Sequence, residues 1–334
     1  MTVFVRADSS AIEHTTDRPT DKAAELAEIG FVHIPGFIPA DRVEEFKQLA
    51  KKYGSIENTH ETPIFEYLIN ERRTFQLVQG LFREPIFYYG WCGVRPGLKP
   101  EVHHYHDDAK GSPISVDAKP IEILNMNKRR RHDAVKDGVW PNHRLFIYLD
   151  DHVDFSGGTK VRERSHRRYD LMSAKGLKTL ARGRFKDINW TGTGYVNPRI
   201  RAGDAVLFNL KCKHSGYFVR LRGPFENVAL PVAIDNMLKR IAFSSTLGKR
   251  LVYLIARPFP DLRTAIHIDF CTDSDWARGF QYNRITTPNA KAKRQQVLDC
   301  ARPEFVERMK RSGIPVLNNP ILSDLRQFLS RSPN

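Results

Sequence analysis

The sequence is short of cysteine and has none in pairs. Cys92, Cys212, Cys271 and Cys300 stand far apart with no C-x-x-C spacing, which excludes a zinc ribbon or disulfide scaffold and makes a reducing, cytoplasmic setting the expectation. No apolar run approaches the ~18 residues of a membrane span. The opening MTVFVRADSSAIEHTTDRPTDK lacks the basic-then-apolar order of a signal peptide and reads as a polar leader over residues 1–22. The closing SRSPN matches no simple address signal. There is no internal repeat and no low-complexity segment. GGT at 157–159 is too short for a phosphate loop and precedes no clear helix. Aromatic RNP strands, zinc fingers and basic zippers are absent, which argues against a folded nucleic-acid module.

What the chain does have is apolar residues and positive charge. Of its 334 residues 41% are hydrophobic and 10% aromatic, enough for a substantial core. The formal charge is +15, with basic residues gathered in KRRRH (128–132), in KVRERSHRR (160–168) and through the C-terminal region. Such a field is either a solvated surface or an attraction for an anionic partner. Small or surface-bound anions rank above nucleic acid, given the missing motifs.

Periodicity assigns helix to 20–29 and to PADRVEEFKQLAKKYG (39–54), where Asp41 is the expected N-cap, and again near 71–83. GFVHIPGFI (30–38) alternates like a short strand. Further strand-like runs are IFYYGWCGV (86–94), EVHHYHD (101–107), HRLFIYLDD (143–151), DAVLFNLKC (204–212), SGYFVRLR (215–222), NVALPVAI (227–234) and RIAFSST (240–246). Many short strands between Gly/Pro turns point to a sandwich or barrel. The last sixty or so residues turn helical and basic. The expected architecture is mainly β with flanking helices around a jelly-roll core of the double-stranded β-helix, cupin-like type. That core would span 23–250, with a basic helical extension over 251–334 packed on the same domain.

Metal chemistry enters through HHYHDD (103–108). A His-x-Asp triplet puts both side chains on one face of a strand, and with a distant histidine it forms the facial triad of non-haem Fe(II) oxygenases. Chance supplies roughly one such triplet in a chain of this composition. Here there are three: His106/Asp108, His152/Asp154 and His267/Asp269. No histidine follows His267, which reads as a core or surface imidazole. His152 sits in an aspartate-rich glycine turn, which is ordinary loop chemistry. His106 ends a strand-like run, and a later strand delivers His214.

Four stretches, in order between residues 25 and 247, resemble the phytanoyl-CoA dioxygenase-like branch of the Fe(II)/2-oxoglutarate oxygenases. GFVHIPGFIPADRVEEFKQLAKKY looks like the family's opening strand, turn and helix. YHDDAKGSP is similar to its first-ligand motif. LFIYLDDHVDFSGGTKVRERSH resembles its L-D…G-G…P-G-S-H run, and RAGDAVLFNLKCKHSG its G-D-x-x-x-F…H-x-G strand. The resemblance implies His106, Asp108 and His214 as iron ligands and His166 as a non-ligand. It also implies Arg240 and Ser215 at the cosubstrate, with Arg220 and Arg222 as alternatives nearer His214.

The implied cofactors are Fe(II), 2-oxoglutarate and O₂. The implied reaction is hydroxylation of an unactivated C–H in a small, anionic metabolite or natural-product or glycan intermediate. Asp108 favours hydroxylation over halogenation, since related halogenases lack this carboxylate. The chain departs from the family in carrying Glu163-Arg164 where Pro-Gly is usual, so that loop need not keep its shape. It also carries a basic insertion over roughly 115–142. A redox-inactive jelly-roll binding protein, or a basic nucleic-acid or membrane-surface binder with an incidental triplet, are the competing classes.

Overall fold

The computed structural model describes residues 21–53, 59–70, 72–98, 108, 114–115, 140–151, 160–167, 169–170, 174–184, 188–189, 195–196, 200–215, 245–247, 250, 263–286 and 291–331. The chain begins with α1 (Lys22–Ile29), β1 (Phe31–Ile34), α2 (Ala40–Tyr53), α3 (Pro63–Asn70) and α4 (Arg72–Gln79). Two long strands and then two short ones follow: β2 (Ile86–Leu98), β3 (Asn142–Tyr148), β4 (Lys160–Arg162) and β5 (Tyr169–Asp170). Then come α5 (Ala174–Ala181), β6 (Ile188–Asn189), β7 (Tyr195–Val196), β8 (Ala205–Asn209), β9 (His214–Ser215) and β10 (Arg263–Thr272). The helices α6 (Asp275–Thr286), α7 (Lys291–Asp299), α8 (Pro303–Arg311) and α9 (Pro320–Arg331) close the chain.

A five-stranded antiparallel sheet in the order β1-β8-β3-β10-β2 forms the centre, and β7-β4-β9 make a small second sheet. Alternation divides the large sheet's side chains into two faces. Leu145, Ile147, Leu207, Ile266 and Ile268 share one core with Phe46 of α2, Leu68 of α3 and Phe305 of α8. Tyr148, Val206, Phe208, Tyr89 and Trp91 belong to the other core, together with Val161 of the second sheet. Helices α2, α3 and α8 therefore cover one face, while the small sheet, with residues of α1 and α6, packs on the other. β3 and β8 pair in the large sheet, while the strands that follow them, β4 and β9, pair in the small one.

Asp204 ties the N-terminal strand to this frame. It accepts from the Gly36 and Arg201 N–H groups and bonds His33, all within 2.8–2.9 Å. Asp41 lies inside the first turn of α2 rather than capping it, where its charge still suits the positive helix end. The expected boundary at residue 250 does not divide the sheet. β10 sits between β3 and β2, so the C-terminal segment supplies a central strand before its helices begin. Strand runs expected at 101–107, 215–222 and 227–234 lie wholly or mostly outside the described residues. The end of the run at 240–246 is not extended, for Thr246 and Leu247 are helical.

β2 is irregular for a physical reason. Its register against β10 shifts between Tyr88 and Cys92, where Gly90 adopts φ +92°. Carbonyls near this bulge bond helix side chains: Gln281 Nε2 donates to Tyr89 O at 3.0 Å and Gln296 Nε2 to Cys92 O at 2.8 Å. A Cβ at Gly90 would lie 2.9 Å from Val297 Cα and 2.7 Å from Cys300 Sγ. Gly90→Ala combines a left-handed backbone with a clash against backbone, and should destabilise the fold by about 2–4 kcal/mol. The urea midpoint measures this; an unchanged midpoint would show that α7 does not pack this closely on β2.

Candidate metal centre

The turn after β8 builds the site. Asn209 closes it, accepting from Cys212 N–H at 2.8 Å through its carbonyl and from Lys211 N–H at 2.9 Å through its side chain. Lys213 N–H donates to Ser165 Oγ at 2.8 Å. His214 then enters β9 opposite Val161, its Nδ1 2.9 Å from Cys212 O and its ring 4.9 Å from that of Phe208. Asp108 is brought to the same turn by its own backbone, whose N–H donates to Leu210 O at 2.9 Å. As a result His214 Nε2 and Asp108 Oδ2 stand 3.8 Å apart. Two donors each ~2.1 Å from one ion lie ~3.0 Å apart at right angles and ~4.2 Å apart in line, so the observed separation falls between the two.

Behind Asp108 lies a group that sequence reading did not single out. Arg144 of β3 stands directly opposite Asp269 of β10 in the antiparallel ladder. Its Nε and Nη2 donate to the two Asp269 oxygens at 2.7 and 2.8 Å, and its Nη1 donates to Asp108 Oδ2 at 2.7 Å. Tyr89 OH completes the Asp269 shell at 2.7 Å. Burial alone disfavours a charged guanidinium, but Asp269 and then Asp108 outweigh it and raise the Arg144 pKa above its ordinary value. Burial, then the Asp269 carboxylate, push the Tyr89 phenol well above its usual range, so it remains a donor. The available signal was a pair of opposite charges, Arg144 and Asp269, each within a strand rich in buried apolar residues.

His106, Arg240, Arg220, Arg222, His152 and Asp154 lie outside the described residues. Ser215 is in β9, paired with Lys160. His267 is a core imidazole, buried between Trp91 and Phe146 at ring distances of 5.7 Å each. Gly93 makes room for it, since a Cβ there would sit 2.3 Å from its Cε1. Among the described residues no three His, Cys, Asp or Glu side chains gather in a metal-holding group.

The Glu163–His166 turn packs on the end of α1. Arg164 takes φ +60°, the conformation a glycine adopts without strain, held by its N–H on Ile29 O at 2.7 Å and by Glu28. His166 is buried with Nε2 3.1 Å from Ala27 O. With His143 and Asn209 it lines a cavity of about 830 Å³ walled by Phe82 and Trp276. Neither Asp108 nor His214 belongs to that cavity's lining. Burial lowers the pKa of His143 to about 3 and of His166 to about 4.

No protein-family model matches the sequence, and no curated protein does. Solved structures do align. The non-heme alpha-ketoglutarate-dependent epimerase SnoN from nogalamycin biosynthesis aligns at a TM-score of 0.45 and 14% identity, over 75% of this chain and 79% of that one. HygX from Streptomyces hygroscopicus, with iron bound, aligns at 0.44 and 13%, over 77% and 87%. EctD from S. alaskensis, with 2-oxoglutarate and 5-hydroxyectoine, aligns at 0.44 and 13%, over 76% of each chain. These are partial likenesses of backbone, and the functional argument rests on the side chains of this one.

The two neutral imidazoles set a pH dependence. Both folded pKa values lie below the ordinary 6.5, so the unfolded chain binds more protons in acid. Their contribution is complete above pH ~6.5 and is lost as pH falls, at up to ~1.4 kcal/mol per unit for each ring. The loss from His166 ends near pH 4 and that from His143 near pH 3. Denaturant midpoints between pH 7 and 4 should fall less steeply in a His143→Gln/His166→Gln protein. Parallel profiles would mean that neither ring is held neutral by the fold.

Proposed function

We propose that the chain is an Fe(II)/2-oxoglutarate-dependent oxygenase of the phytanoyl-CoA dioxygenase-like type, with His106, Asp108 and His214 as ligands. The observation that carries this reading is the 3.8 Å approach of Asp108 and His214, residues 106 positions apart (214 − 108) that the resemblance alone had paired. An imidazole and a carboxylate are two of the three ligand types of a facial Fe(II) site, and a second imidazole from His106 completes it. When bound, iron and 2-oxoglutarate supply the oxidising power for C–H hydroxylation with O₂; the chain supplies orientation and shelter from water. Arg144 orients Asp108, as supporting partners of metal ligands do. The paired passage of β3 to β4 and β8 to β9 supports a double-stranded β-helix, with β10 inside the same domain.

The far carboxylate of 2-oxoglutarate calls for an arginine opening the strand after the second histidine, by the same resemblance. Arg240 is first choice on that criterion, with Arg222 and Arg220 as alternatives nearer His214; all three lie outside the described residues. Ser215 stays a cosubstrate contact. No described helix is long and apolar enough to cross a membrane.

Metal titration with Mn(II), followed by electron paramagnetic resonance, tests the ligands. Asp108→Ala and His214→Ala should each weaken binding by more than the ~10–100-fold that follows loss of a supporting partner. His267→Gln should leave it intact. Arg240→Ala should weaken 2-oxoglutarate binding sharply, with Mn(II) affinity unchanged; that behaviour in Arg222→Ala instead would favour the alternative nearer His214. A wild-type chain that binds no Mn(II) returns the protein to the class of redox-inactive jelly-roll binders.

An anionic substrate is the reading that gives the +15 charge a role. Its capture should slow as salt rises, because exposed charges are screened beyond ~8–10 Å. Replacing Arg129, Arg130 and Arg131 with glutamine should lower kcat/KM at low salt and flatten its ionic-strength profile. A neutral substrate with a flat wild-type profile refutes this.

A further inference from the structure

The cavity walled by Phe82 and Trp276 is lined by neither Asp108 nor His214, and it has a chemistry of its own. Its volume of about 830 Å³ lies within the ~300–1,000 Å³ of pockets that enclose small molecules. Helix α1 lines it with Ala23, Ala24 and Ala27, short side chains that leave the space open. Phe82, ahead of β2, and Trp276, in the first turn of α6, supply aromatic walls. From the sheet come Asn209 and His143, whose ring meets that of Phe82 edge to face at 4.7 Å. Their polar atoms are already bonded. Asn209 Nδ2 donates to Trp140 O at 3.0 Å and lies 3.2 Å from His143 Nε2, while its Oδ1 accepts from Lys211 N–H. Burial keeps the imidazole uncharged, so this side offers ring surface rather than a charge. The lining charges are unequal. Arg164 takes Glu28, and Arg278 takes Asp273. Arg83, Arg167 and Glu84 remain, all exposed and none with an ion pair among the described residues, two positive charges to one negative.

We propose that this cavity is a small-molecule site separate from the metal centre, taking a planar aromatic molecule that bears an anionic group. The ring system packs on Phe82, Trp276 and His143, and offset or edge-on contacts between rings add to what buried area alone supplies. The anionic group sits among the exposed charges, where Arg83 or Arg167 meets it. A guanidinium suits a carboxylate or sulfonate, because its N–H donors lie in parallel pairs. These arginines are exposed, so ring packing supplies most of the affinity and the charge selects among aromatic ligands. A molecule seated here touches Asn209, which begins the turn that delivers His214, but neither of the two described metal-ligand candidates. The site therefore does not depend on the function proposed above.

The test uses the full chain, first without metal, and two fluorescent probes that share a ring system. Anilinonaphthalene sulfonate is anionic; phenylnaphthylamine is uncharged. The sulfonate should bind at one equivalent per chain and raise Tm, because a ligand of the native state alone stabilises it. No binding, many equivalents or a lowered Tm would overturn the proposal. Ala24→Phe fills the cavity from a residue that belongs to neither core, and Trp276→Ala removes one wall. Each should weaken the sulfonate by about tenfold, the scale of a lost ring contact, with far-ultraviolet dichroism unchanged. The sulfonate should bind about threefold more tightly than the uncharged probe, and Arg83→Gln/Arg167→Gln should abolish that difference. Saturating Mn(II) with 2-oxoglutarate should leave the sulfonate's affinity as it was. Displacement by them would make the cavity part of the metal pocket and overturn the proposal. So would equal affinity for the two probes, or affinity that neither Ala24→Phe nor Trp276→Ala alters. A chain that meets these expectations but binds no Mn(II) loses the iron reading and keeps the site.

Discussion

A full positive charge sits in the seam between the two sheets, and much of the surrounding structure serves to keep it bonded. Arg144 is held by Asp269 from the neighbouring strand and reaches across to Asp108. Removing one member of such a buried group leaves an uncompensated charge, an effect on the order of 3–5 kcal/mol. The bridge also sets register. A one-residue slip of β10 against β3 would send Asp269 to the helix-covered core and strand the guanidinium among aromatic rings. Charge pairing here enforces the same alignment that hydrophobic alternation favours.

The local irregularities follow from this alignment. Tyr89 must face the seam to reach Asp269, while Tyr88 faces the helices, where His60 Nε2 lies 2.6 Å from its hydroxyl. Both demands are met on a strand that bulges at Gly90, and the price in ladder bonds is offset by Gln281 and Gln296. The helices of the C-terminal segment therefore do more than cover the sheet. Their amides finish the hydrogen bonding of an edge strand that could not otherwise deform.

Much of the frame could be read from the sequence because it rests on short-range patterns. The strands at 86–94, 143–151 and 204–212, and the helix at 39–54, follow alternation and helical periodicity that local residues carry. The pairing of Asp108 with His214 was legible only through motif order, since nothing local states which distant turn an aspartate will join. β10 is harder to read although Thr264, Ile266, Ile268 and Phe270 alternate cleanly, because the polar His267 and Asp269 occupy its other face. Their actual roles, one packed between rings and one holding Arg144, depend on a strand 125 residues away (269 − 144). Glu163-Arg164 stands where the resemblance has Pro-Gly. Arg164 adopts a glycine-like φ, held by two contacts to α1 that the motif does not reveal.

The strand order β1-β8-β3-β10-β2 has a consequence for how the chain matures. β3 leaves the ribosome flanked on neither side: β8 arrives some sixty residues later, and β10 more than a hundred. Until residue 269 has been made, Arg144 has no counter-ion on its own ladder, and an apolar strand stands with both edges open. Sheets closed by such distant partners form slowly and expose adhesive edges meanwhile. The centre of the sheet is thus complete only once β10 has been made, and a nascent chain halted before it would present open strand edges to chaperones.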